Sequence, residues 1–181
     1  MTLTLIIGIA IILFSVLLDQ GSKQLMLHLL SDLPNQTIEV IPDFFRFALK
    51  FNTGAAFSSF DGDFWLLMGM TAIATIMFIF IAIKADIKKA PWYTVGIYMM
   101  IGGMIGNFID RVFYPNHAVV DFLSFTFFGW DFAVFNIADS FLVVGTIVFC
   151  IDIFFFEAKR KEQEKEKALL QEEDDDASIS D

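Results

Sequence analysis

The sequence has few of the residues that disulfide-linked or metal-dependent proteins require. Its 181 residues include one cysteine and two histidines, and only 19% are charged, where globular chains have about a quarter. The single thiol, Cys150, excludes a disulfide framework and a cysteine-based metal site within one chain. His28 and His117 lie far apart and outside any HExxH pattern. We therefore predict neither a metal nor a cofactor.

What the sequence has in excess is apolar side chains. Hydrophobic residues make up 56% of the chain, and phenylalanine alone occurs 23 times. The net charge of -10 is unevenly placed, because residues 157–181 contain ten acidic and five basic side chains. We predict that this segment is a solvated cytoplasmic tail, disordered or frayed-helical, without chemistry. No basic patch indicates a nucleic-acid partner.

Four apolar stretches approach the roughly 20 residues that a helix needs to cross a bilayer. They cover residues 2–18, 64–83, 92–109 and 132–151. The sequence thus predicts an all-α membrane protein, with one four-helix domain over residues 1–156. The first stretch lacks a basic n-region and a small-x-small cleavage site, so we interpret it as a retained helix.

Basic residues near the span ends indicate the orientation. They follow the second span and the fourth, which places both termini in the cytoplasm: Lys84, Lys88, Lys89, Lys159, Arg160 and Lys161. Residues 19–63 and 110–131 then face outward. In the first of these segments, Phe45, Phe47, Leu49 and Phe51 alternate with less apolar residues, the period of a half-buried strand. We expect a small sheet at the outer membrane surface.

An ionisable residue inside a span is a functional candidate. Asp139 lies seven residues into the fourth span, in "FNIADS", with Asn136 one turn before it. Asp121, in the apolar "AVVDFLSF", is the best candidate to meet it. Two carboxyl groups in an apolar site share one proton, and such a pair hydrolyses amides without a metal. The alternative is a structural hydrogen bond from Asp139 to a neighbouring helix.

Other features carry less chemistry. Ser22 and Lys23 are adjacent, which is poor geometry for a catalytic dyad on a helix. Asp110 has a ready partner in Arg111 and is interpreted as structural. Gly102 and Gly106 form a small-xxx-small packing pattern. A carrier in which Asp139 binds protons or cations stays an alternative function, as does a scaffold without turnover.

The chain resembles the lipoprotein signal peptidases (signal peptidase II), which are intramembrane aspartyl proteases. Five blocks carry the resemblance, in the order of the family: "DQGSK" (19–23), "FNTGAAFS" (51–58), "GGMIGNFIDR" (102–111), "VVDF" (119–122) and "FNIADS" (135–140). One stretch departs from the pattern. Where the family usually has a shorter, glycine-containing connection, residues 112–118 read "VFYPNHA", and we expect a turn around Pro115 and Asn116 to absorb the difference.

The resemblance implies that Asp121 and Asp139 are the catalytic aspartates. It implies that a second set lines the site or fixes the substrate backbone: Asn52, Gly54, Asn107, Arg111 and Asn136. Asp19 and Lys23 match positions that stabilise the outer helix ends. The implied substrate is a diacylglyceryl-modified prolipoprotein, cut just before the lipidated cysteine by a monomer in the bacterial inner membrane, in contact with membrane lipid.

Overall fold

The computed structural model of the protein describes residues 2–54 and 64–179. The described residues form five α-helices: α1 (Thr2–Leu30), α2 (Phe64–Lys84), α3 (Pro91–Phe113), α4 (Ile137–Phe155) and α5 (Glu157–Ile179). They also form four strands: β1 (Thr37–Ile41), β2 (Phe45–Asn52), β3 (Val119–Phe127) and β4 (Trp130–Asp131). A short 3-10 turn, Pro115–His117, connects α3 to β3.

Three helices in the described residues are long and apolar enough to cross a membrane. They are Thr2–Leu30, Trp65–Lys84 and the continuous stretch Ile137–Gln171. Large apolar side chains cover their outer surfaces, as with Leu17 at 70% exposure and Ile73 at 70%, which is the pattern of lipid-facing helices. The predicted span 92–109 falls within α3, and its crossing of the bilayer stays a prediction.

Helix α3 lies at the centre of the bundle and packs against α1, α2 and α4. It begins with Pro91 directly after its N-cap Ala90, a position where the missing N–H of proline costs nothing. The apolar core consists of Ile97, Tyr98, Met100, Ile101 and Met104 of α3 together with Ala82 of α2. Small residues let the helices approach closely, as expected from Gly102 and Gly106: an added Cβ at Gly102 would lie 2.6 Å from Ser15 Cβ.

The predicted sheet is present and larger than the one strand that the alternation indicated. The four strands are antiparallel in the order β1-β2-β3-β4. The phenylalanines of β2 pack against β3, with Phe45 stacked on Phe125 at 4.7 Å between ring centroids. Helix α1 continues to Leu30, well beyond the predicted span, and its end packs with Met26 against Phe122 of β3. The sheet is therefore anchored to the first helix.

Two predicted boundaries differ from the structure. The fourth span was predicted from Phe132, but α4 begins at Ile137, because the side chain of Asn136 caps it and Phe135 pairs with Leu123 of β3. The tail, for which disorder and a frayed helix were both left open, is helical as α5 in the described residues. Its glutamates, lysines, alanines and leucines are strong helix formers, and Glu157 pairs with Lys161 one turn on.

Candidate functional site

Asp139 lies in the first turn of α4, at the junction of that helix with the sheet. The side chain of Asn136 accepts a hydrogen bond from Asp139 N at 2.9 Å, and Asp139 Oδ2 accepts one from Asn136 N at 3.2 Å. This reciprocal pair is a capping box, which the sequence encodes as N-x-x-D in "FNIADS". The expectation that Asp139 lies seven residues inside a helix was wrong, because the preceding residues are extended.

Asp121 lies on β3 and is 1% exposed. Its two carboxylate oxygens each accept a hydrogen bond from an amide: Oδ2 from Asn52 Nδ2 at 3.0 Å, and Oδ1 from Asn136 Nδ2 at 2.7 Å. Burial and, to a lesser extent, the nearby carboxylate of Asp139 raise the pKa of Asp121, the two amide hydrogen bonds lower it, and the net result is a pKa of about 7. A carboxyl group with such a pKa holds or releases a proton near neutrality.

Two asparagines connect the carboxyl groups of Asp121 and Asp139. Asn136 Nδ2, bound to Asp121, also donates to Asn107 Oδ1 at 3.0 Å. Asn107 Nδ2 in turn donates to Asp139 Oδ1 at 2.7 Å. The structure thus brings together one strand residue and one helix residue separated by 18 positions in the chain, and holds both by uncharged donors. Asp139 is partly exposed and Asp121 is buried, so Asp139 is the more accessible of the two carboxyl groups.

A buried cation supports this arrangement from the bundle side. Lys23 of α1 is fully buried, and its Nζ lies 2.8 Å from Asp19 Oδ2, 2.9 Å from Asp110 Oδ2 and 3.1 Å from Asn107 Oδ1. Three acceptors satisfy the three donors of an ammonium group, which offsets part of its desolvation cost. The same carboxylates also bind backbone N–H groups: Asp19 Oδ1 accepts a hydrogen bond from Ala138 N in α4, and Asp110 Oδ2, which also contacts Lys23, accepts one from Val120 N in β3.

The interpretation of Asp110 as the partner of Arg111 was wrong. Neighbouring residues on a helix point about 100° apart, so Asp110 turns inward to Lys23 while Arg111 reaches outward to Gly54 O at 3.3 Å. Gly54 N also donates to Asn52 Oδ1 at 3.0 Å. Arg111 and Asn52 therefore hold the end of the chain segment that follows β2 beside Asp121. Residues 55–58 of the block "FNTGAAFS" lie outside the described residues.

Sequence reasoning missed Gln20. Its Nε2 lies 2.8 Å from Asp110 Oδ1 and 3.1 Å from both Asp19 Oδ2 and Gly106 O. The signal was present in the block "DQGSK", where a glutamine next to Asp19 is positioned to share its environment. Gly106 allows this close approach, since an added Cβ there would lie 2.6 Å from Asp19 Oδ2.

The connection 112–118 forms the expected turn. Asn116 and His117 both have positive φ, 54° and 56°, a conformation that asparagine and histidine adopt more readily than most residues. His117 Nδ1 lies 2.8 Å from Arg111 O, which ties the turn to the end of α3. Among the described residues, no group of three histidine, cysteine or acidic side chains is placed to hold a metal ion.

These features define an integral membrane protein in which two carboxyl groups meet at the junction of a helix bundle and a small sheet. The comparisons with known proteins give the family. Residues 11–155 match the family model described as signal peptidase (SPase) II. The chain therefore belongs to the signal peptidase II family and is a protease.

Individual relatives agree with this assignment. The chain is 41% identical to a lipoprotein signal peptidase of Enterococcus faecalis, over 85% of this chain and 90% of that protein. It is 37% identical to a lipoprotein signal peptidase of Clostridioides difficile, over 83% of this chain and 97% of that protein. A solved bacterial membrane enzyme has the same fold, with a TM-score of 0.71 at 35% identity, covering 81% of this chain and 86% of that one.

Proposed function

We propose that this protease removes the signal peptide from diacylglyceryl-modified prolipoproteins, and that Asp121 and Asp139 are its catalytic pair. The observation that carries the proposal is the position of Asn136, which donates to Asp121 Oδ1 through its side chain and to Asp139 Oδ2 through its backbone. One residue thus fixes the two carboxyl groups relative to each other. Catalysis by such a pair depends on that fixed relation.

The pair works with one shared proton. The ionised carboxyl group takes a proton from water, and the protonated one donates a hydrogen bond to the scissile carbonyl oxygen. The raised pKa of Asp121 supports this division, because the group keeps its proton close to neutral pH. The proton taken from water is then delivered to the leaving amide nitrogen, which balances the hydrolysis.

The substrate follows from the family and from the place of the site. The relatives are lipoprotein signal peptidases, and we infer that this chain likewise cuts just before the lipidated cysteine. Asp139 lies in the first turn of a membrane-spanning helix, so a scissile bond held near the bilayer surface by its diacylglyceryl anchor reaches it. A soluble peptide is not held there.

The arrangement in the membrane is part of the same proposal. We infer four spans, with α3 as the central one, in the inner membrane of a bacterium. The lysines at the end of α2 and after it, and the basic residues at the start of α5, support a cytoplasmic location of both termini. The paired carboxyl groups then face the outer surface. We infer that a monomer is sufficient, because the contacts that hold the pair come from one chain.

The test compares two synthetic peptides that differ in one modification. Purified protein is incubated with a lipobox peptide whose cysteine carries diacylglycerol, and with its unlipidated twin, and the products are identified by mass. We expect cleavage of the first peptide alone, on the N-terminal side of the cysteine. Asp121→Asn should lower that rate about 10³-fold or more. Undiminished cleavage by Asp121→Asn would contradict the pair. A carrier or scaffold would cleave neither peptide.

A further inference from the structure

A groove on the lipid-facing side of α2 has a cation at one end. One face of α2 lines it, at the spacing of helical turns, and Tyr93 of α3 closes it: Ile73, Ile76, Met77, Phe80, Ile81, Lys84 and Tyr93. The opposite face of α2 packs into the bundle through Ala74, Phe78 and Ala82. The groove has a volume of about 620 Å³, within the range of ligand sites in proteins.

The groove has the length of one acyl chain in one leaflet. From Ile73 to Lys84 there are eleven helical steps, or about 16 Å at 1.5 Å per residue. Half of the roughly 30 Å hydrocarbon core is about 15 Å. The wall is apolar along this whole length and becomes polar at Lys84 and Tyr93. A single lipid, with its chain along the groove and its headgroup at the polar end, matches this distribution.

The polar end carries unneutralised positive charge. Within the described residues, no hydrogen bond or ion pair is found for the ammonium group of Lys84. Residues 84–90 contain three lysines and one acid, Asp86, and the carboxylate of Asp86 accepts from Lys88 N. The acids whose charges reach Tyr93, Asp152 and Glu157, are themselves paired with Arg160 and Lys161. An anionic headgroup therefore finds a free cation at this end.

From these observations we propose that the groove binds one anionic phospholipid, with its phosphate at Lys84 and an acyl chain along α2. Basic sites between helices at the membrane surface are suited to such headgroups. The ring of Tyr93, held against Phe149 at 5.0 Å between centroids, forms the wall beside the phosphate. The site is separate from the carboxyl pair, because Tyr93 and Asn107 are fourteen residues apart on α3, about 21 Å along the helix.

The test measures lipid binding to the full chain by native mass spectrometry in detergent. Phosphatidylglycerol and phosphatidylcholine with the same acyl chains are titrated, and the apparent Kd of the first bound lipid is compared. We expect phosphatidylglycerol to bind about fivefold more tightly. Lys84→Gln should remove that preference. Lys88→Gln, which removes the same charge from the loop after α2 and outside the groove, should change the preference less than twofold.

A second variant tests the groove itself. Met77→Phe puts a larger side chain into the apolar wall, and we expect it to weaken the binding of both lipids. Equal affinity for the two lipids in the unaltered chain would overturn the proposal. The proposal would also be overturned if Lys84→Gln and Lys88→Gln lost the preference for phosphatidylglycerol equally, or if Met77→Phe bound both lipids as tightly as the unaltered chain. Cleavage of the lipidated peptide should be unchanged in Lys84→Gln, which separates this site from the proposed function.

Discussion

The two ends of α4 each hold an aspartate, but by different means. At the first turn, Asp139 accepts hydrogen bonds from Asn107 Nδ2 and Asn136 N. In the last turn, Asp152 is 0% exposed and is bound by both terminal nitrogens of Arg160, with Nη1 at 3.1 Å from Oδ1. One carboxyl group has amide donors, and the other has a guanidinium group in a bidentate pair.

Under the proposed function, this difference is the one between a reactive site and a structural one. A bidentate guanidinium fixes a carboxylate in its charged form and occupies both of its oxygens. Amide donors carry no charge, so a carboxyl group that they hold is free to exchange a proton during a reaction. The cation of Lys23 contacts the amide-held site through Asn107. Its Nζ donates to Asn107 Oδ1, and Asn107 Nδ2 donates to Asp139. Four predictions test this comparison.

The largest expected effect is on activity. Asp139→Asn should lower cleavage of the lipidated peptide about 10³-fold or more, because it removes one member of the proton-sharing pair. Asp152→Asn changes the same atoms at the other end of the same helix, and we expect it to keep cleavage within about threefold. The initial rate with each purified variant is the measurement. Comparable losses in both variants would mean that α4 needs its aspartates for folding alone.

The next effect is on stability. Arg160→Gln leaves the carboxylate of Asp152 buried without its cation, and breaking such a pair costs about 3–5 kcal/mol in a protein interior. Because Arg160 is itself 25% exposed, we expect about 2 kcal/mol, measured by unfolding in mixed micelles.

The double variant Arg160→Gln with Asp152→Asn serves as the control for that loss. It should recover most of the stability, since no unpaired charge remains buried. A double variant no more stable than Arg160→Gln would show that the pair contributes by packing rather than by charge.

A third prediction concerns the close helix contacts of α3 near the start and near the middle of α4. An alanine Cβ at Gly106 would lie 2.6 Å from Asp19 Oδ2, and one at Gly96 would lie 2.7 Å from Gly145 O. Each of the two alanine substitutions should lower the free energy of unfolding by about 1–3 kcal/mol through overpacking. Gly106→Ala should also lower cleavage about tenfold, because Asp19 holds the start of α4. Gly96→Ala should leave cleavage unchanged. Gly21→Ala, whose added Cβ meets nothing within 4 Å, is the neutral control for both stability and cleavage.

The last prediction concerns the pH dependence of the unaltered enzyme. Burial raises the pKa of Asp121 to about 7, so the group is protonated below that pH and ionised above it. The pair needs one proton, and kcat should therefore fall about tenfold for each pH unit above 7. In Asp152→Asn, kcat should fall above pH 7 in the same way as in the unaltered chain. A kcat that stays constant to pH 9 would show that Asp121 does not hold the working proton.

Much of the fold was predictable because local patterns determine it. Long apolar runs predicted α1, α2 and α4, and the alternating phenylalanines predicted β2. Boundaries were less predictable where tertiary contacts decide them. Phe132 to Phe135 are as apolar as the helix that follows, but Phe135 pairs with Leu123 on β3, so α4 starts later. For the tail, the charge run left disorder and a frayed helix open, while its helix formers and the Asp152–Arg160 pair favour α5.

The candidate site was predictable as a set of residues but not as a network. Asp121, Asp139 and the asparagines stand out as polar groups in apolar surroundings. Their partners do not: Asp110 binds Lys23 instead of its neighbour Arg111, and Gln20 joins Asp19 to Asp110. Such pairings depend on the directions in which side chains leave three separate elements.

By itself, the sequence determined that this chain enters a membrane. It also determined which polar residues enter with it, because placing a charge in lipid is costly and each such residue therefore stands out. Tertiary structure alone decided which of those groups meet. A buried lysine with two carboxylates forms one cluster, and two amide-held carboxyl groups form another. The physical reason is that hydrogen bonds need directions and distances set by the packing of α1, α3, α4 and the sheet.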